Sequence, residues 1–350
     1  MPRKWLQRHM KRIAFLSFGH WQDSPYSPVR TGGDALRQSI ELAQTAEEIG
    51  VDGAFFRVHH FARQLSSPFP LLAAIGATTT RIEIGTGVID MRYENPRHMA
   101  EDAAAADLIA AGRLQLGVSR GSPEQVVDGF RHFGHVPEPD DPDGARMARE
   151  ATARFLTAID GERFAEPSPH PMFPNPGGLL GVEPQTPGLR RRIWWGAGSR
   201  RTAEWTAAQG MNLMSSTLLT EDTGVPLHVL QAEQIRRFRA AWREAGWAWE
   251  PRVSVSRSIM PITTDLDRRL WANRNDSQDT VGFIDDHTVA RFGRSYADEP
   301  DRLVEQLADD EAIAEADTLM LTVPSTLGVE YNVHLLRGVL EDVAPGVGWR

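Results

Sequence analysis

The sequence predicts a closed (β/α)8 TIM barrel, an α/β fold with insertions after its fourth and seventh strands. Three observations carry the prediction: eight short apolar runs recur along the chain, a helical pattern follows each, and the two longest connections both leave the C-terminal end of a strand. Near-continuous apolar strands alternating with helices indicate a parallel sheet covered by helices. Eight such units favour closure into a barrel, with an open doubly wound sheet as the alternative, because strand order cannot be read from sequence.

The elements follow in order. Residues 1–10 are basic and read as a loose N-terminal arm ahead of one barrel domain over 11–350. The first strand, RIAFLSFG (12–19), is too short and too soon interrupted to be the apolar stretch of a secretion signal. DALRQSIELAQTAEEIG then places apolar residues at helical spacing and ends in Gly50, a natural C-cap. The second strand, DGAFFRV (52–58), runs into the adjacent pair His59 and His60. The third, IEIGTGVI (82–89), holds two glycines; inside a strand these mark a bulge, a barrel bend or a flat ligand lying against bare backbone. The fourth is RLQLGVS (113–119), followed by a long connection over 121–190 that is dense in proline and glycine around AEPSPHPMFPNPGGLLGVEPQTPG. RIWWGAG (192–198) leads into the helical RTAEWTAAQG, MNLMSS (211–216) is the sixth strand, and RVSVSRSIMPI (252–262) is the seventh. A polar insertion over 263–300 precedes PDRLVEQLADDEAIAEA, read as one helix, and the last strand, DTLMLTVP (317–324). Loops this long in a compact domain are lids or binding loops, and both emerge on the face where barrels hold their active sites.

Composition narrows the function. A net charge of -9 argues against nucleic acid as the main partner, since phosphate-backbone binding needs excess Lys and Arg. The absence of cysteine removes disulfides, thiolate metal sites and cysteine nucleophiles, and suits a reducing cytoplasm. No apolar run approaches the roughly 20 residues of a membrane-spanning helix.

Four features carry candidate chemistry. Adjacent side chains on a strand point to opposite faces, so His59 and His60 supply one inward imidazole at most. The pairs His132/His135 and His98/Glu101 have helical spacing but match no zinc signature, so no metal site is expected. GVSRG (117–121) matches the G-x-S-x-G nucleophile elbow, with Ser119 as nucleophile and a late histidine, His287 or His334, as base. The same stretch also fits an anion cradle built on Arg120, with Ser122 as N-cap, Pro123 at N1 and Glu124 in the first turn of a helix. WWGAGSRRTAEW places small residues and free N–H groups at a helix start, an arrangement that binds phosphate. Together these put a phosphate site on strands four and five, bare backbone on strand three and an imidazole on strand two, which suits a phosphorylated planar cofactor.

EEIGVDGAFFRVHHF, SPFPLLAAIGATTTRIEIGTGVI, NPRHMAEDAAAADLIAAGRLQLGVSRG and FRHFG resemble the bacterial luciferase-like flavin-dependent monooxygenases. The resemblance covers residues 12–135, continues through WWGAGSRRTAEWTAAQGMNLMSS and weakens after 216. It implies a barrel, usually dimeric, with FMN or a deazaflavin at the C-terminal face. By this resemblance His59 is the catalytic histidine, although Val58 stands where the family often has glutamate and Arg57 precedes it. Thr86, Gly87 and Val88 form the surface beneath the flavin ring, with a cis peptide at Gly87–Val88. Arg120, Gly198, Ser199 and Thr202 hold the phosphate, which recasts Ser119 as a neighbour of that site. His20, Trp21, Arg92, Trp194 and Trp195 are further pocket candidates. The implied activity is oxygenation of a small organic substrate by reduced FMN and dioxygen, with a flavin reductase as partner. The alternatives are a flavin or deazaflavin oxidoreductase without oxygenation, a Ser119 hydrolase and a non-catalytic flavin-binding protein.

Overall fold

The computed structural model describes residues 11–350 except 122–124, 175–176, 222, 276 and 285–287. The expected arm at 1–10, and the expected helix start at Ser122, Pro123 and Glu124, lie outside the described residues. The first half of the chain alternates β1 (Arg12–Ser17), α1 (Gly32–Glu48), β2 (Gly53–Phe56), α2 (Pro68–Thr78), β3 (Glu83–Asp90), α3 (Pro96–Ile109), β4 (Leu114–Ser119) and α4 (Ala145–Ile159). The second half runs β5 (Ile193–Gly196), α5 (Arg200–Ala208), β6 (Asn212–Ser215), β7 (Leu218–Leu219), α6 (Leu227–Ala245), β8 (Val253–Pro261), α7 (Asp265–Trp271), β9 (Thr280–Phe283), β10 (Val289–Phe292), β11 (Ser295–Asp298), α8 (Pro300–Ala308), α9 (Glu311–Glu315), β12 (Thr318–Val323) and α10 (Gly328–Gly338).

Eight parallel strands close the barrel in the order β1, β2, β3, β4, β5, β6, β8, β12 and back to β1. The pleat sorts the apolar side chains. On β1, Ile13 and Phe15 join the large core between strands and helices, while Ala14 and Leu16 pack with Phe55, Trp194, Met214 and Met320 in a separate cluster. Near the strand starts a polar group fills the barrel: Arg252 pairs with Glu83 at 2.9 Å, Gln115 donates to Glu83, and the Trp194 indole donates to Gln115 at 2.8 Å. Among the described residues the barrel is therefore packed near its strand starts.

Local signals account for the helix ends. Thr31 and Asp34 form a capping box at the start of α1, and Gly50 just past its end has φ +90°. Burial of Glu47 works to raise its pKa. Three backbone N–H groups, from Ile82, Arg81 and Thr80, together with the Thr80 hydroxyl, overcome this and bring it to about 2.

Two expectations change. The segment over 300–316 is two helices rather than one, because Asp310 breaks it. Its carboxylate caps α9 through the N–H groups of Ala312 and Ile313 and holds the buried Arg257 guanidinium at 2.7 and 2.9 Å. The insertion after β8 has its own order: β9 and β10 form an antiparallel pair, β10 also pairs with β7, and β11 runs parallel to the end of β8.

Candidate active site

A cavity of about 430 Å³ opens at the C-terminal ends of the barrel strands, within the size range of cofactor pockets. Its wall brings together His59, Gly87, Val88, Arg120, Gly198 and Thr202, six of the eight residues expected from sequence.

His59 reaches the wall by a turn. Strand β2 ends at Phe56, so pleat alternation does not extend to the two histidines. The Arg57 N–H bonds to the Ser17 carbonyl and the His59 N–H to the Leu65 carbonyl, which turns His59 inward at 7% exposure. His60 turns away and stacks on Tyr93 with ring centroids 4.2 Å apart. Arg57 lines the cavity beside His59: its guanidinium donates to His59 Nε2 at 2.7 Å and lies 4.8 Å over the Phe18 ring.

The strand-three segment has the expected cis peptide at Gly87–Val88. The pairing of β3 with β4 slips register between Thr86 and Ile89, so this is a bulge. The two glycines do different things. A Cβ on Gly85 would meet the Gln115 carbonyl oxygen at 2.0 Å, so Gly85 is required for strand approach, whereas Gly87 faces the cavity. Thr86 is fully buried behind the wall, where its hydroxyl donates to the Gly117 carbonyl and accepts from the Gly117 N–H, bridging the strands at the slip.

The other end of the cavity is cationic. Arg120 leaves β4 and pairs with Asp143, and Arg149 arrives from α4 with its guanidinium 4.9 Å over the Trp205 ring. Between them stands the start of α5. Ser199 is its N-cap, accepting from the Thr202 N–H at 3.1 Å and pairing with the Thr202 hydroxyl at 2.9 Å, so Ser199 sets the helix start while Thr202 faces the cavity. Thr220 fixes the approach, its N–H and hydroxyl both donating to the Gly198 carbonyl.

Other candidates fall into place. Trp195 lines the cavity, while Trp194 is buried in the barrel beneath it. Arg92 does not line it but holds Asp90, which does, at 2.6 Å; His20 and Trp21 are not part of the wall. Near this pair, burial and the neighbouring Asp102 and Asp90 charges push Glu94 up to about 7. Ser119 lines the cavity and its hydroxyl accepts from the Gly121 N–H at 2.7 Å, but His334 pairs with Asp267 at 3.0 Å and is not on the wall. His287 lies outside the described residues. Among the described residues no cluster of three or more His, Asp or Glu could hold a metal.

Sequence reasoning missed Asp90, Arg149, Ser256 and Thr322 as wall residues. Only Asp90, at the end of the glycine-containing strand, had a local signal; Arg149 faces the cavity because of where α4 docks.

Residues 10–320 match the family described as luciferase-like monooxygenase. The 4-hydroxyprotoasukamycin monooxygenase of Streptomyces nodosus subsp. asukaensis is 34% identical over 116 residues, 32% of this chain and 30% of that protein. The matches to the first curated relatives thus span only about a third of their length. Among solved structures, the monooxygenase RslO1 from Streptomyces bottropensis aligns with a TM-score of 0.70 at 18% identity, covering 95% of this chain and 99% of that one. The oxygenating constituent of 3,6-diketocamphane monooxygenase from Pseudomonas putida, solved with FMN, aligns with a TM-score of 0.64 at 16% identity, covering 96% and 99%.

Proposed function

This chain belongs to the luciferase-like monooxygenase family, and from that premise we propose that it is a flavin-dependent monooxygenase. It would use reduced FMN and dioxygen to oxygenate a small organic substrate. The observation that carries the reading is the single cavity wall that joins bare backbone at Gly87–Val88, an imidazole at His59 and a cationic end at Arg120 and Arg149.

The wall fits the cofactor. Arg120, Arg149, the Thr202 hydroxyl and the N-terminus of the nine-residue helix α5 offer the donors and positive field that a phosphate dianion requires. Gly198 and the Ser199 backbone belong to that helix start. The segment Gly87–Val88, held by Thr86 from behind, and Gly196 present little side chain to a flat ring. When bound, reduced FMN supplies two electrons to dioxygen, so that one oxygen atom enters the substrate and the other leaves as water. His59 holds or moves a proton at the reacting oxygen, and Leu16, Phe18 and Met320 give the substrate an apolar seat. Thr217, Leu218 and Ile284, from the β7 region and the β9–β10 connection, narrow the mouth and exclude water.

The reading includes residues 11–350 as one barrel domain, a homodimer in the cytoplasm and a separate reductase that delivers the reduced flavin. An absorbance titration of purified protein with FMN, a deazaflavin coenzyme and riboflavin tests it. FMN should bind most tightly, and Arg120→Ala should weaken FMN about tenfold, roughly 1.4 kcal/mol, without affecting riboflavin. Uptake of no flavin, together with covalent labelling of Ser119 by a serine-hydrolase probe, would replace this reading with the hydrolase. Turnover of aldehydes, ketones and amines with reduced FMN then identifies the substrate class.

A further inference from the structure

The Arg57–His59 contact decides which way the active-site imidazole faces chemically. An arginine side chain carries five N–H donors and no acceptor, and it stays protonated at every working pH. The nitrogen it touches, His59 Nε2 at 2.7 Å, must therefore be the lone-pair nitrogen of the ring. The neutral ring then carries its proton on Nδ1. An imidazolium would set an N–H against the guanidinium and forfeit the bond.

We propose that Arg57 is a positioning residue that fixes His59 as the Nδ1–H tautomer, so that the Nε2 lone pair is held by the guanidinium and is not offered to the cavity as a general base. This rests on the flavin reading for the identity of the reaction, but the tautomer itself is a property of the protein alone.

The surroundings hold Arg57 to this task. Its backbone N–H is tied to the Ser17 carbonyl at the end of β1, and its guanidinium lies over Phe18, whose ring stacks on His20 with centroids 5.7 Å apart. The backbone of His59 is fixed through Leu65. Both ends of the contact are thus anchored to the barrel rim. The same guanidinium charge reaches a second imidazole: burial first, then Arg57, lowers the pKa of His20. Val58, the preceding residue, is apolar and buried at 6% exposure, so its side chain offers His59 no hydrogen bond, whereas the Arg57 guanidinium does. A carboxylate there would favour the opposite tautomer and an imidazolium.

The test is long-range ¹H–¹⁵N correlation NMR on protein labelled at histidine nitrogens, without flavin, at pH 7.5, with the His59 signals assigned by their loss in His59→Gln. The expected result is a protonated Nδ1 and an unprotonated Nε2 in the wild type. This pattern should be lost in Arg57→Met and kept in Arg57→Lys, which retains a donor. A wild-type Nε2–H or doubly protonated ring would overturn the proposal, as would an Arg57→Met variant that keeps the wild-type pattern. If the pattern holds but no flavin binds, the flavin reading fails while the role of Arg57 stands.

Discussion

At the scale of single residues, the wall of the candidate site was legible where its residues sit at a strand end and illegible where they depend on tertiary placement. The pair His59 and His60 stood out because it follows an apolar run, and the glycines of strand three because glycine inside a strand needs a reason, but the choice of His59 and of Gly87–Val88 came from the family resemblance. Arg149 could not be nominated, since nothing in the α4 sequence marks the face it turns to the cavity. Replacing His59 by Ala should lower turnover about 10²–10⁴-fold, the usual contribution of a positioned proton-handling group, with a smaller change in FMN affinity by titration. Glu94 gives a residue-scale pH prediction. Its pKa of about 7 in the folded chain lies above the ordinary carboxyl value, so it binds its proton more tightly folded than unfolded. The stability it contributes is full below about pH 4.5 and is lost as pH rises through 7. Urea unfolding should show the wild type losing about 1–3 kcal/mol between pH 4.5 and 8 relative to Glu94→Gln; parallel curves would refute it.

At the scale of elements, all eight barrel strands were readable, with ends within about two residues, because each is an apolar run buried on both faces. The strands of the late insertion were not. β7 is two residues long and finds its partner, Arg291–Phe292, about seventy positions away, so no local pattern betrays it. The break between α8 and α9 was hidden too, because the segment reads as one helical pattern and nothing local shows that Asp310 serves Arg257. Burial works against the Asp310 charge, yet the adjacent guanidinium keeps its carboxyl below the ordinary range. Asp310→Ala would remove a helix cap and strand a buried cation, and should cost about 3–5 kcal/mol by denaturant unfolding. Asp310→Asn, which can still cap, should cost less.

At the scale of the whole molecule, the candidate site is a cavity at the mouth of a barrel packed at its base, so ligand binding there is coupled to global stability. FMN held at a hundred times its dissociation constant should stabilise the chain by about 2.7 kcal/mol, visible as a rise in melting temperature of a few degrees. Riboflavin, lacking the phosphate, should give less at equal concentration, and equal shifts would mean the cationic end is idle. The cavity wall also contains Trp195, the one tryptophan among the described residues that lines it, with Trp205 4.8 Å away edge to face. Indole emits where a flavin ring absorbs. The chain therefore carries its own lamp beside the site, and a flavin settling there should dim it, so occupancy can be followed by intrinsic fluorescence without label or substrate.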